Sequence, residues 1–318
     1  MRNNTKLLRY LAEQKMLDEP TLSRELEANV YANTSEWRGF LRLLLISLGL
    51  GFLVCGIVFF LAYNWADMPK AAKISLAAAG VILPVLLALT PWFSGLLRNG
   101  LMTAGAFMVG SLFAVLGQIY QTGADEYDLF LAWWVFTLVW VIVVDFSWLW
   151  LLSLVLLNTT LVLYAEQVAF YWSSGTVCMV LLLVNLVAFI GFSYVGERYR
   201  KEAYPRSFLL ILALATAGFA VIGFIAELFD PSHDWFAETL LVLVPILLAS
   251  CGYLAYLRRE LAYLVIVAIS SISISTSFVI SLFDDVGAFF LGSIWVLAAT
   301  VFCSFQLNKI RKIWRHDK

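Results

Sequence analysis

The chain has 318 residues, 62% of them hydrophobic, and a formal net charge of −1. This composition places it among membrane proteins and leaves no basic surface to suggest a nucleic-acid partner. With only two histidines and four cysteines, haem or zinc sites built on paired histidines are excluded, and no metal or other cofactor is expected.

Residues 1–40 are the one polar segment, read as a cytoplasmic amphipathic helical leader. Leu7, Leu8 and Leu11 recur at helical spacing, and Asp18-Glu19-Pro20 resembles a helix start. Leu22, Leu26 and Val30 then continue an apolar stripe. Two such short helices are too small to hold a core alone, so they dock on the bundle, on the membrane surface or on a partner. No cleavable signal peptide is expected, because the first apolar run follows this polar stretch and is too long for a signal core.

From residue 41 the chain repeatedly reaches the roughly 20 apolar residues needed to cross a bilayer. Ten spans are expected, at about 41–64, 70–92, 99–120, 128–145, 147–165, 173–196, 206–228, 236–257, 261–283 and 286–307. Ser47, Gly51 and Cys55 repeat every fourth residue along the first span, a spacing that suits tight helix packing. That span ends in Asn64-Trp65. The third span ends in Gly117-Gln118-Ile119-Tyr120-Gln121-Thr122-Gly123-Ala124-Asp125. Gln118 sits one turn inside the outer end of its span, where a buried amide needs partners. Asn64, Trp65, Gln118, Tyr120, Gln121 and Asp125 form a candidate polar cluster at the outer membrane face. The alternative is an interfacial aromatic belt with helix caps.

Further along, Asp145 falls in a tight hairpin where it can cap the fifth span, and Asn158 and Asn185 are deep amides. The connection from Glu227 to Glu238 and the Asp284-Asp285 pair are acidic loops that carry a cation-attracting or partner-facing charge. In the ninth span Ser270, Ser273, Ser277 and Ser281 share one helical face. Such a polar stripe either lines a hydrated path or makes helix contacts with its hydroxyls turned onto backbone carbonyls. Residues 308–318 form a basic tail.

Threaded with the N-terminus inside, this arrangement puts all of the 21 basic residues except Lys70 and Lys73 on the cytoplasmic side. That bias predicts a multi-pass protein with both termini cytoplasmic.

The leader, the first span ending in Phe60-Leu-Ala-Tyr63-Asn64-Trp65, and the run from Gly117 to Asp125 together resemble a bacterial membrane-protein family. It is catalogued as domain of unknown function 2157, and the resemblance covers about residues 5–150. It implies a bacterial inner-membrane address, a link with a small exported companion protein, and no established activity. It supplies no catalytic residues.

The architecture expected is therefore an all-α polytopic bundle, residues 41–307, between the leader and the tail. No metalloprotease, P-loop or serine-hydrolase motif occurs, which favours a non-catalytic role. Two readings stand. One is a component of a membrane complex, or a protein handling lipid or a small molecule, with lipids as neighbours and a protein partner met through the N-terminal helices or the acidic outer loops. The other is a transporter or flippase with a site between two five-helix halves.

Overall fold

The structure is a computed structural model that describes residues 18, 20–21, 34–93, 95–199, 204–231, 234–283 and 287–316. The described residues form an all-α protein with ten helices long and apolar enough to cross a membrane. All ten expected spans are found. The leader helices, His233 and the Asp284-Asp285 loop lie outside the described residues. The chain divides into two compact units, Met1–Ile119 and Tyr120–Lys318.

The first unit holds α1 (Thr34–Tyr63), α2 (Lys70–Leu89) and α3 (Gly95–Tyr120, its last residue across the boundary). Pro69 precedes α2 in an extended conformation, while Pro84 sits inside that helix without ending it. The core of this unit gathers Leu61, Ala77 and Val115, with Trp65 and Ile119 packed against them. Gly80 lets α3 approach closely, because a side chain there would meet the Met108 thioether. The Ser47–Gly51–Cys55 face does not pack as its spacing suggests. Ser47 and Cys55 are exposed, and the space about the Gly51 Cα is open within 4 Å. Instead α1 packs through Leu50, Ile57 and Leu61, and the face bearing Phe52 and Phe59 stays apolar and exposed, as a lipid-facing surface is.

The second unit contains α4 (Glu126–Val144), α5 (Ser147–Gln167), α6 (Ser174–Arg198) and α7 (Arg206–Phe229). A single turn, Trp235–Glu238, leads into α8 (Leu240–Leu257), followed by α9 (Leu261–Ser281) and α10 (Gly287–His316). Helix α10 runs straight through the expected basic tail. Glu126, Glu227 and Asp234 mark the acidic end of this unit, and Arg198, Arg206 and Arg258 its basic end. Helix α6 packs most extensively on α7, α4 pairs with α5, and α9 touches α7, α8 and α10.

Local sequence explains the turns. Asp145 adopts a left-handed conformation, φ 45°, which Asp tolerates better than most residues. It therefore closes α4, and Phe146 rather than Asp145 stands at the start of α5. Ser173 caps α6 by accepting from the Thr176 backbone N–H. Between α6, α7 and α8 the core is apolar and close-packed, with Leu182, Ala220, Leu240 and Val244 all fully buried.

Gly223 lies at that junction. A Cβ there would fall 2.7 Å from the Cys178 Cβ and 3.0 Å from Leu240, whereas Gly218 on the same helix has open space. Gly223→Ala should therefore destabilise the protein by about 1–3 kcal/mol. Gly218→Ala should be neutral or stabilising by about 0.5–1 kcal/mol through helix propensity. Thermal unfolding of both variants in one detergent checks this; equal melting temperatures would contradict the close α6–α7–α8 contact.

Candidate functional site

The six residues expected at the outer face are divided between the two units. In the first, the Asn64 amide nitrogen donates to the Phe60 carbonyl at 2.9 Å, and the Lys73 ammonium sits 4.1 Å from the centre of the Trp65 ring. Both thus use their polarity locally. Gln118 is exposed on α3, while Ile119 beside it turns into the core. In the second unit Tyr120 and Gln121 are exposed, and Gln121 and Gly123 take positive φ (46° and 63°). Asp125 precedes α4 without capping it through its side chain. Within either unit, no hydrogen bond among the described residues joins these side chains.

The serine stripe is mostly turned inward on its own helix. Ser273 donates to the Ile269 carbonyl at 3.1 Å, Ser277 to Ser273 at 3.0 Å, and Ser281 to Phe278 at 2.8 Å. Ser270 is buried. Beside the stripe, the Ser275 hydroxyl accepts from the Trp295 indole N–H of α10 at 2.9 Å. These bonds satisfy hydroxyls inside hydrocarbon without water.

Apart from that Trp295–Ser275 bond, the polar groups that tie helices together lie away from the stripe in the second unit, at three depths. At the acidic end, Glu227 is 1% exposed in the last turn of α7. Its carboxylate packs against Gly175 in the first turn of α6, where any Cβ would collide with it and would stand 2.9 Å from Ala237. The start of a helix favours negative charge, and Asp234 adds a second carboxylate that accepts from the Thr176 hydroxyl at 2.7 Å and from the Phe236 N–H at 3.1 Å. On the same end the Gln167 amide donates to Glu126 and accepts from the Tyr127 N–H at 3.0 Å.

At mid-depth, Asn158 of α5 and Asn185 of α6 bond reciprocally. The Asn158 amide N–H donates to Asn185 Oδ1 at 3.2 Å, and the Asn185 amide N–H donates back to Asn158 Oδ1 at 2.9 Å. Asn185 donates its second N–H to the Leu181 carbonyl at 2.8 Å. With about 1.5 Å of rise per residue, each lies some 15 Å from its helix end, the middle of a bilayer core.

At the basic end, the Asp145 carboxylate accepts from the Trp150 indole at 3.1 Å and from the Tyr204 hydroxyl at 3.0 Å. It thereby links the α4–α5 turn to the residues before α7. Trp150, Phe192, Tyr204 and Phe208 pack edge-on or stacked around it, with ring centres 4.9–5.7 Å apart. Two ion pairs close the surface, Arg206 with Glu260 and Arg258 with Glu197.

Glu227, expected to open the acidic connection after the seventh span, is instead buried in the last turn of α7. Sequence reading also noted both asparagines without pairing them. They stand at nearly equal distances before and after the α5–α6 connection, and in an antiparallel hairpin such residues come level.

No group of His, Cys, Asp and Glu able to hold a metal occurs among the described residues, and the four cysteines are unpaired. The geometry is that of cross-links: carboxylates with hydroxyls and indole, amide with amide.

The two amides provide a test. Asn158→Leu or Asn185→Leu strands the surviving amide and should cost about 1–2 kcal/mol, whereas the double variant should cost clearly less than the sum of the two. Unfolding by denaturant in mixed micelles measures this; strictly additive effects would show that the amides do not interact.

No curated protein and no solved structure matches this chain. The site residues beyond position 150, including Asn185, Tyr204 and Glu227, lie outside the family match. That match, over residues 10–150, is to the family described as "Predicted membrane protein (DUF2157)", the family that the first span and the Gly117–Asp125 run resemble.

Proposed function

We propose that this chain is a non-catalytic, multi-pass component of a bacterial inner-membrane complex, with both termini in the cytoplasm. The orientation rests on charge: Lys70 and Lys73 aside, every basic residue falls on one side of the ten spans. The observation that carries the functional reading is how the polar side chains of the second unit are spent. The asparagines bond each other, Asp145 holds Trp150 and Tyr204, and three stripe serines bond their own helix. A transport path needs polar groups that exchange partners with a passing solute, and these groups are already committed to the fold. In this reading the acidic outer loops and the N-terminal helices meet a protein partner, and lipids cover the bundle.

Glu227 favours a second reading. An ionisable side chain carried inside a membrane-spanning helix marks a transport site more often than a structural one, and a transporter or flippase with a site between two five-helix halves would use it. In that scheme the halves would meet between α5 and α6, where the closed Asn158–Asn185 pair now stands.

Purification of the chain from its native membrane in mild detergent, followed by mass spectrometry of what accompanies it, separates the two. A stoichiometric protein partner is expected. Recovery of the chain with a specific small solute and no protein would contradict the component reading and favour transport.

A further inference from the structure

Helices α8 and α10 finish side by side at the basic end. The Tyr256 and Trp314 rings are 5.8 Å apart, and the Trp295–Ser275 hydrogen bond fixes the antiparallel register of α10 on α9. Counting along both helices from that bond brings Lys309 level with Leu261, the first residue of α9, which follows Arg258 and Arg259 in the turn from α8. The Tyr256–Trp314 contact sets Lys312 within about one helical turn of Arg258. Arg258, Arg259, Lys309, Arg311 and Lys312 therefore form a cationic band at one depth.

Two carboxylates come near this band. Glu197 pairs with Arg258, and Glu260 pairs with Arg206. Positive charge remains in excess. Lys309, Arg311 and Lys312 are exposed, and they make no ion pair among the described residues. Immediately inside the band α10 turns apolar, and Phe302 and Phe305 stand 62% and 68% exposed. Trp314 and Tyr256 mark the level of the lipid headgroups, where such rings prefer to lie.

A cationic band with an exposed aromatic track directly inside it matches one molecule in both parts. We propose that the ends of α8 and α10 bind an anionic phospholipid. The guanidinium and ammonium groups hold its phosphodiester, and its acyl chains run along Phe302 and Phe305. A free phosphate or an acidic peptide would use the cations and leave the aromatic track without a role. Arg311 supplies a planar fork for phosphate oxygens, and Lys309 and Lys312 supply point charges; Arg258, already paired with Glu197, adds to the field of the band. This binding is independent of the complex-component reading, and it stands or falls separately.

The test is native mass spectrometry of the full chain released from nanodiscs of phosphatidylcholine and phosphatidylglycerol with matched acyl chains. Phosphatidylglycerol should be retained in preference. Lys309→Gln with Lys312→Gln should lower that preference by about fivefold for each charge removed, whereas Lys70→Gln with Lys73→Gln, the two lysines that the charge pattern assigns to the outer side, should leave it unchanged. For the unaltered chain the preference should fall as salt is raised. Equal retention of both lipids, a salt-insensitive preference, or the same loss in the Lys70 and Lys73 variant would each overturn the proposal.

Discussion

A side-chain amide in hydrocarbon has no water to fall back on, and Asn158 and Asn185 meet that constraint by bonding each other from adjacent helices. The depth of the pair sets the register of α5 on α6. That register also brings Trp150 of α5 onto Phe192 of α6 at the basic end, while at the other end Gln167 ties α5 to α4 through Glu126 and Thr176 ties α6 to the turn before α8 through Asp234. Apolar helices alone associate weakly in lipid, because lipid tails are as apolar as leucine. Directional polar contacts at three levels supply the specificity that hydrophobic burial supplies in water.

Helix α6 is the element that all three levels share. It carries Thr176 near its start, Asn185 in its middle and Glu197 at its end, and each meets a different neighbour. Its close approach to α7 and α8 depends on small residues, Gly175 under the Glu227 carboxylate and Gly223 under Leu240. Polar contacts thus define where the helices stand, and glycines define how near. Tight packing and committed hydrogen bonds belong together here, since a loosely packed bundle would let these groups find other partners.

Much of this was legible in the sequence. Ten apolar runs gave ten helices because length and hydrophobicity decide membrane insertion almost by themselves. The serine stripe was readable as a packing feature, since a hydroxyl can always reach its own backbone. Pairing was less visible. Asn158 and Asn185 are 27 positions apart, and their meeting follows from symmetry about a loop rather than from any local pattern. Tyr204 reaches Asp145 over 59 positions, a contact that only the tertiary fold creates. Glu227 was misplaced for a simpler reason: an acid one turn from a helix end looks the same in sequence whether it faces water or the protein. Conversely, the expected cluster from Asn64 to Asp125 is rich in polar and aromatic residues, yet Asn64 bonds its own helix at Phe60 and the Trp65 ring takes Lys73 from the start of α2.

The polar groups that join the helices of the second unit are committed to one another and leave no hydrated path between them, although the buried Thr137 hydroxyl of α4 has no hydrogen-bond partner among the described residues. Ser153, 2% exposed on α5, and Ser277 on the stripe are near-isosteric with cysteine, so Ser153→Cys and Ser277→Cys in a background lacking the four native cysteines report water directly. Treated in native membranes with a small hydrophilic thiol reagent, both are predicted to stay unlabelled while Ala124→Cys, in the exposed loop before α4, reacts. Labelling of Ser153→Cys or Ser277→Cys at the rate of the loop position would reveal a hydrated path through the bundle and contradict the account.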